Sequence, residues 1–510
     1  MSSIGLRSCM LGPTFPKWLQ TQNDFQDIDI SNAGISDMVP KWFWAKLLLR
    51  EQISMNISYN NLYGIISNFP LQNFLHSLSL SSNQFEGPIP PFLRGSLFLD
   101  LSKNKFSNSF LFLCANGIVE TLTQLDLSNN HLSGQIPDCW SHFDALVYLD
   151  LSNNKFSGKI PPSLGSLNLQ ALLLRNNTLT DEIPFSLRSC INLVMLDVAK
   201  NRLSGPIPAW IGSNMQELEI LSLGSNHFNG SLPLEICYLR SIQLLDLSIN
   251  NLSGQVPKCI KNLTLMAQKT SSSDFQVHPY YVEISGDESF SGSYDLNAFL
   301  MWKGLEQMFK NNELILLKSI DLSSNNFSEE IPVEIESLLE MVSLNLSRNN
   351  FTGKVPSNIG KLTSLEFLDL SRNQLVGSIP LSLTQIDRLT MLDLSHNHLA
   401  GEIPTSTQLQ SFTASSYEDN FDLCGPPLEK LCIHGGPAPE PNVEVHEDEY
   451  SLFNREFYMS MTFGFIISFW GVFGSILFKR SWRHAYFKFL NILSDNIYVK
   501  VAVFANRISK

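Results

Sequence analysis

Leucines along this chain pair across one residue, and asparagine follows three residues later. Leu125-Asp126-Leu127-Ser128-Asn129-Asn130 is the clearest case, and Leu149, Leu368 and Leu392 open close copies. The last position recurs as Cys9, Ala33, Asn60, Asn83, Asn104, Asn130, Asn154, Asn177, Asn201, Asn226 and Asn250, then as Asn325, Asn349, Asn373 and Asn397. That makes 15 repeats, most of them 23–25 residues apart. Leu-x-Leu predicts a short strand with alternate residues buried. The closing Asn can turn inward, where its amide can bond backbone groups of neighbouring coils. A single coil is too small to bury its own leucines, so stacking is what builds the core. Strands about 4.8 Å apart over these coils predict a parallel sheet roughly 70 Å long.

A second pattern follows each Asn. Leu132-Ser133-Gly134-Gln135-Ile136-Pro137 returns at Phe156, Leu203, Leu252, Phe351, Leu375 and Leu399. Gly permits a turn, and Pro ends the hydrogen bonding and starts a tight 3₁₀-like return. Together the two patterns resemble the plant-specific leucine-rich repeat, LxxLxLxxNxLxGxIP, over about residues 4–410. The resemblance implies an α/β-type solenoid, mostly β and 3₁₀, wound as a right-handed superhelix.

The repeat is interrupted once. Residues 266–313 form an island of different composition, with Ser271-Ser272-Ser273, Tyr280-Tyr281 and Ser289-Phe290-Ser291-Gly292-Ser293. Repeats occupy 1–265 before it, and four more occupy 314–423 after it. An island, four repeats, one membrane helix and a short basic tail resemble plant leucine-rich-repeat receptor-like proteins, which carry no kinase domain. Those that sense fungal elicitors such as xylanase are the most similar. Their island ends in Lys-Gly followed by Tyr. Here Lys303-Gly304 fits, and Phe309 stands in place of the Tyr. Two roles are open for the island: contact with ligand and co-receptor, or an insertion that merely plugs one coil. Tyr280, Tyr281, Trp302 and Lys303 are its candidate contact residues.

Positions two, four and six before the ladder Asn should face the concave side, and the one just before it should stand at the edge. Most coils place Asp and Ser there, as scaffold. Tyr148, Leu173, Arg175, Met195, Lys200, Arg348, Phe367, Arg372, Met391 and His396 depart from that rule. Aromatic and Arg side chains are typical interface anchors. Arg348, Phe367, Arg372 and His396 follow the island and are the candidates for co-receptor contact. His131 and His227 fall in loops and should be solvated.

Cys114 and Cys139 are 25 residues apart, and Cys237 and Cys259 are 22 apart. Stacking would bring each pair near bonding distance, so disulfides are expected there. Cys424-Gly425-Pro426-Pro427 with Cys432 resembles the family's C-terminal cap, which implies a third bridge. Cys9 is expected to be buried at its ladder position, and Cys190 has no evident partner. Eight Asn-x-Ser/Thr sequons occur, at Asn56, Asn176, Asn229, Asn251, Asn262, Asn326, Asn345 and Asn350. All precede the hydrophobic segment, as expected of glycosylation on a secreted ectodomain. Asn56 and Asn345 fall between strand leucines, where a glycan would bar a ligand.

That hydrophobic segment is 459–478, 20 residues without charge. At about 1.5 Å per residue it spans a bilayer's hydrocarbon layer. Residues 424–458 form the cap and an acidic stretch. Residues 479–510 carry seven Lys and Arg against Asp495 alone, although the whole chain is −13. Positive charge stays cytosolic. The reading is therefore a single-pass type I plasma-membrane protein with its N-terminal part outside. Gly464, Ser468, Gly471 and Ser475 give the helix a flat face for another helix. Tyr486-Phe487-Lys488-Phe489 and Tyr498-Val499-Lys500-Val501 match a Yxx-hydrophobic sorting pattern. A basic segment on the inner leaflet is the simpler reading. No signal peptide opens the chain, which suggests a missing natural N-terminus.

The acidic balance argues against nucleic acid as partner. No HExxH, phosphate-binding loop or nucleophile elbow occurs, and no clustered Cys/His set suggests metal. No enzyme activity and no cofactor are expected. The tail is too short for a kinase. The main expectation is a plant-defence receptor that recognises an extracellular protein or peptide and works through a receptor-kinase co-receptor. A developmental peptide receptor, a non-signalling inhibitor-like module and a decoy are the rival readings.

Overall fold

The computed structural model describes residues 3–432 except 23, 49–52, 70–74, 109–112, 115–120, 269–279, 284–290, 295–296, 303–304 and 311–316. The chain divides into two compact units, Met1–Ile433 and His434–Lys510. The second unit, with residues 459–478 and the tail motifs, lies outside the described residues. Among the described residues no helix is long and apolar enough to cross a membrane.

Fifteen described strands form one parallel sheet, each pairing with the next coil's strand. Leu149 registers with Leu125 on one side and Leu172 on the other. These leucines are fully buried, and each contributes roughly 1.5–3 kcal/mol by leaving water. The sheet runs across the island without a break, because Leu245 pairs directly with Ile320 and Asp246 with Asp321.

The ladder Asn ties coil to coil. Asn130 Nδ2 donates to the carbonyls of Leu127 and Ser128 in its own coil and of Leu101 in the preceding one, at 3.0–3.1 Å. Its Oδ1 accepts the N–H of Phe106 at 3.0 Å. The amide thus satisfies buried backbone groups that a tight turn would otherwise orphan. The residue before each ladder position is left-handed in every coil, with φ between 52° and 60° from Ser8 to Asp419. Outside glycine this conformation is uncommon; Asn tolerates it best, and Asn occupies it at 32, 129, 153 and 176.

Behind the ladder, a side chain two residues on stacks along the core. Phe85 lies on Phe106 at 6.3 Å, and Phe327 on Phe351 at 6.2 Å. A second parallel sheet of short strands, such as His131–Gln135 and Lys155–Gly158, runs through this region. Prolines then open the 3₁₀ turns, as Pro161 (φ −69°) does for Pro162–Ser166.

The stack differs from the expectation at three places. A sixteenth coil follows the fifteenth: Asn420 bonds Leu394, Tyr417 and Glu418 carbonyls and accepts the Leu399 N–H. Tyr417 fills the place of the second strand leucine, fully buried, with its hydroxyl donating to Leu409 at 2.7 Å. Cys9, expected to be buried, is exposed. It belongs to the first described coil, so no described residue stacks on its outer side. Met266, taken as the first island residue, is fully buried in the core, and its carbonyl accepts the Glu340 N–H.

Disulfides join Cys114 to Cys139, Cys237 to Cys259 and Cys424 to Cys432, with Cα separations of 5.8, 5.7 and 5.1 Å. The first two staple adjacent coils. Cys190 is buried without a disulfide, and burial pushes its thiol up to about 11. His131 and His227 are exposed.

Candidate ligand-binding face

The concave strands of many coils place an aspartate four residues before the ladder Asn, among them Asp100, Asp126, Asp150, Asp197, Asp246, Asp321, Asp369 and Asp393. Asp126 Oδ1 accepts the Ser128 N–H at 2.8 Å, and Asp150, Asp321 and Asp369 do the same for Ser152, Ser323 and Ser371. These Asp residues thus stabilise the turn into the ladder Asn. They also crowd one another. Burial, reinforced by neighbouring carboxylates, raises the Asp150 carboxyl to about 6 and that of Asp321 to about 7. Burial first, then Asp150 and Asp100, raise Asp126 well above the ordinary range.

The row is broken at Leu173, which registers with Asp150 and Asp197, and Arg175 of the same coil is 6% exposed. Its guanidinium lies 3.5 Å from Asp197 Oδ1 and pairs with Glu306 of the island. Lys200 Nζ holds the other oxygen of Glu306 at 2.6 Å. The ring of Phe299 sits 5.0 Å from the Arg175 guanidinium carbon, a cation–π contact. Glu306 and Phe299 belong to an antiparallel hairpin, Asn297–Trp302 with Leu305–Lys310. Phe309 of the same hairpin packs on an apolar concave strip that includes Tyr148, Leu173, Met195, Ile220 and Leu244. The island therefore does more than plug a coil: part of it is seated on the concave face.

This seat corrects the reading of five concave residues. Tyr148, Leu173, Arg175 and Met195 are buried, and Lys200 is engaged with Glu306; they anchor the island and are not free for a partner. Ile220 and Leu244, overlooked because apolar residues there read as ordinary strand, belong to the same seat. Glu306 was also missed: no repeat pattern marks a charged island residue as the partner of a ladder arginine. Between the hairpin and the first coils lies a cavity of about 480 Å³. Asp100, Asp126 and Asp150 line it from the ladder, and Phe299, Met308 and Lys310 from the hairpin.

Tyr280 and Tyr281 lie in the strand of a second hairpin, Tyr280–Glu283 with Ser291–Tyr294. Trp302 ends its strand at the tip of the first hairpin, and Lys303 lies outside the described residues.

Past the island the four candidates divide. Phe367 is 2% exposed, so its ring is not offered to a partner. Arg348, Arg372 and His396 stand at the left-handed edge position of three consecutive coils (φ 55°, 55° and 54°) and border a recess of about 520 Å³. Asp369, Asp393, Glu418 and Phe412 complete its wall. His396 is engaged, with Nδ1 2.6 Å from Asp419 Oδ2. Met391 shares the recess.

The sequons also divide. Asn176, Asn229, Asn251, Asn262, Asn326 and Asn350 are exposed. Asn56 and Asn345 are half-buried in concave strands and do the work of the usual Asp. Asn345 Oδ1 accepts from Ser347 N and Oγ, and its Nδ2 donates to Asp321 at 3.2 Å.

A family model described as Leucine rich repeat matches residues 340–399. A single-repeat model of the same description matches 74–96, 121–143, 145–167, 168–190, 192–214, 217–239, 241–263 and 316–338. Receptor-like protein EIX2 of Solanum lycopersicum is 50% identical over 495 residues, covering 96% of this chain and 47% of that protein. Receptor-like protein EIX1 of the same species is 43% identical over 518 residues, again covering 96% and 47%. The chain thus spans about half the length of the curated relatives it matches. The Arabidopsis receptor kinase HAESA ectodomain, solved with a peptide hormone ligand, is 27% identical with a TM-score of 0.57, covering 82% of this chain and 65% of that one. Repeat pattern, coil architecture and relatives agree, and the chain belongs to the plant leucine-rich-repeat receptor-like proteins.

Proposed function

We propose that this chain is the ligand-recognising and membrane-spanning part of a non-enzymatic cell-surface receptor. Its coils would bind an extracellular protein or peptide elicitor in plant defence. Residues 459–478 would cross the plasma membrane once, and 479–510 would lie in the cytosol. Signalling would pass to a partner receptor kinase through the membrane-proximal coils and the face of Gly464, Ser468, Gly471 and Ser475. The observation that carries this reading is the island hairpin seated on the concave sheet through Arg175, Lys200 and Glu306. It gives a uniform scaffold one irregular, charged and aromatic surface of the kind that recognises a partner. Similarity to EIX2 and EIX1 supports the receptor class. The peptide-bound HAESA ectodomain favours a second reading, a developmental peptide receptor.

The test is expression in leaves behind a secretion signal, followed by surface labelling and co-precipitation of receptor kinases. Kinase recovery that falls when Gly464, Ser468 and Gly471 become Leu supports the proposal. Normal surface delivery with no kinase recovered would defeat it in favour of a non-signalling binding module.

A further inference from the structure

Inside this chain two cations on adjacent coils, Arg175 two positions before its ladder Asn and Lys200 one before, already bind a carboxylate. Arg175 takes one oxygen of Glu306, and Lys200, at the edge position of the next coil, takes the other. A second pair of cations on adjacent coils stands past the island at Arg348 and Arg372, here both at the edge and both exposed. Each sits at the edge position, left-handed with φ 55°, one coil apart. The Arg348 N–H donates to Ser371 O and the Arg372 N–H to Ser395 O, both at 2.9 Å. Their α-carbons are therefore about 4.8 Å apart, one strand spacing. Both side chains are exposed, and among the described residues neither has a carboxylate within ion-pair distance. The next edge residue along the stack is His396, which Asp419 engages. The cationic row thus ends in a satisfied pair and leaves two guanidinium groups open over the recess.

Guanidinium is the side chain best shaped for a carboxylate, because its planar fork can donate two parallel bonds. We propose that Arg348 and Arg372 form a carboxylate clamp that holds an acidic peptide segment of an extracellular partner along the membrane-proximal concave face. The clamp deepens the receptor reading and rests on it for its biological role. Its physical test is separate, because it needs no kinase. The chain is acidic overall, at −13, and Asp369, Asp393 and Glu418 stand in the wall of the same recess, so an acidic peptide gains only by direct contact with the two exposed guanidinium groups.

The experiment uses the full chain in detergent micelles and fluorescence anisotropy with labelled hexaglutamate, with hexaglutamine as the uncharged comparison. Asn is the appropriate replacement, since Asn129 and Asn153 hold the same left-handed position in other coils. The expected result is preference for hexaglutamate, weakened by added salt and by about tenfold in R348N/R372N, the size of two exposed charge-assisted contacts. R348K/R372K should keep part of the binding. R388N, which removes an exposed charge outside the recess, should keep all of it. Equal weakening in R388N, no weakening in R348N/R372N, or no preference for hexaglutamate overturns the clamp. Any of these leaves the kinase co-precipitation result where it stood. A thermal melt of R348N/R372N within the wild-type range separates lost binding from lost fold.

Discussion

Arg175 and Glu306 lie 131 residues apart in the chain and meet on the concave face, one from the ladder and one from the island. The arginine is buried and also faces Asp197. Removing it would leave Asp197 buried without a counter-charge, which costs about 3 kcal/mol in comparable sites. R175A is therefore expected to lower the melting temperature by several degrees. E306Q keeps the shape, loses only charge, and should cost about 1 kcal/mol. Hydrogen exchange should show faster exchange at 297–310 in E306Q, with the ladder coils unchanged. Unaltered exchange in that hairpin would mean the salt bridge does not hold the island.

The ladder amides predict a large and local effect. Asn201 bonds the carbonyls of Leu174, Val198 and Ala199 and accepts the Leu179 N–H. N201A would strand these buried groups, at about 1–3 kcal/mol for each one left unsatisfied. Because coils contact only their neighbours, protection should fall in the coils around residue 201 and persist near Asn60 and Asn397. Exchange mass spectrometry reads both regions in one experiment.

The carboxylate row predicts stability that depends on pH. A carboxyl raised in the folded state, as Asp150 is to about 6 and Asp321 to about 7, binds its proton more tightly there than in the unfolded chain. Between the ordinary value near 4 and those raised values the folded state carries more protons, so stability falls as pH rises through that window. The melting temperature should be higher at pH 5 than at pH 7.5. D150N keeps an oxygen for the Ser152 N–H and should flatten the slope. A wild-type melt that rises with pH would contradict the burial of this row.

Glycan occupancy should follow the geometry of the sequons. Asn176, Asn229, Asn251, Asn262, Asn326 and Asn350 are exposed residues, bonded at most to another exposed or half-buried asparagine side chain. Asn345 uses both ends of its amide within the ladder, and Asn56 Oδ1 accepts from Ser58 at 2.6 Å. Site-specific mass spectrometry of secreted protein is expected to find the six exposed sites modified and Asn56 and Asn345 bare. A glycan on Asn345 would show that this strand opens before or after folding.

Much of the fold was legible because the repeat is a local code. Spacing located the ladder from Asn60 to Asn397, and one-coil separation pointed to the pairs Cys114/Cys139 and Cys237/Cys259. The sixteenth coil could have been found from the 23-residue step to Asn420. It was passed over because Tyr417 replaces the expected leucine, and a buried ring fills the same space. The island was legible as an interruption but not as a partner for any given coil.

What the sequence determined by itself was everything repeated: strand, ladder amide, proline return and the order of coils. Each depends on residues within one coil or its neighbour, so short-range spacing carries the information. What only the tertiary structure decided was which exceptions to the repeat are used internally and which stay open. Arg175 and Lys200, like Arg348 and Arg372, are cations on adjacent coils that depart from the repeat. The first two close on Glu306 and the second two face a recess, because a hairpin more than a hundred residues away folds back over one set of coils. No local pattern encodes where such a chain excursion lands; packing of its apolar and charged side chains does.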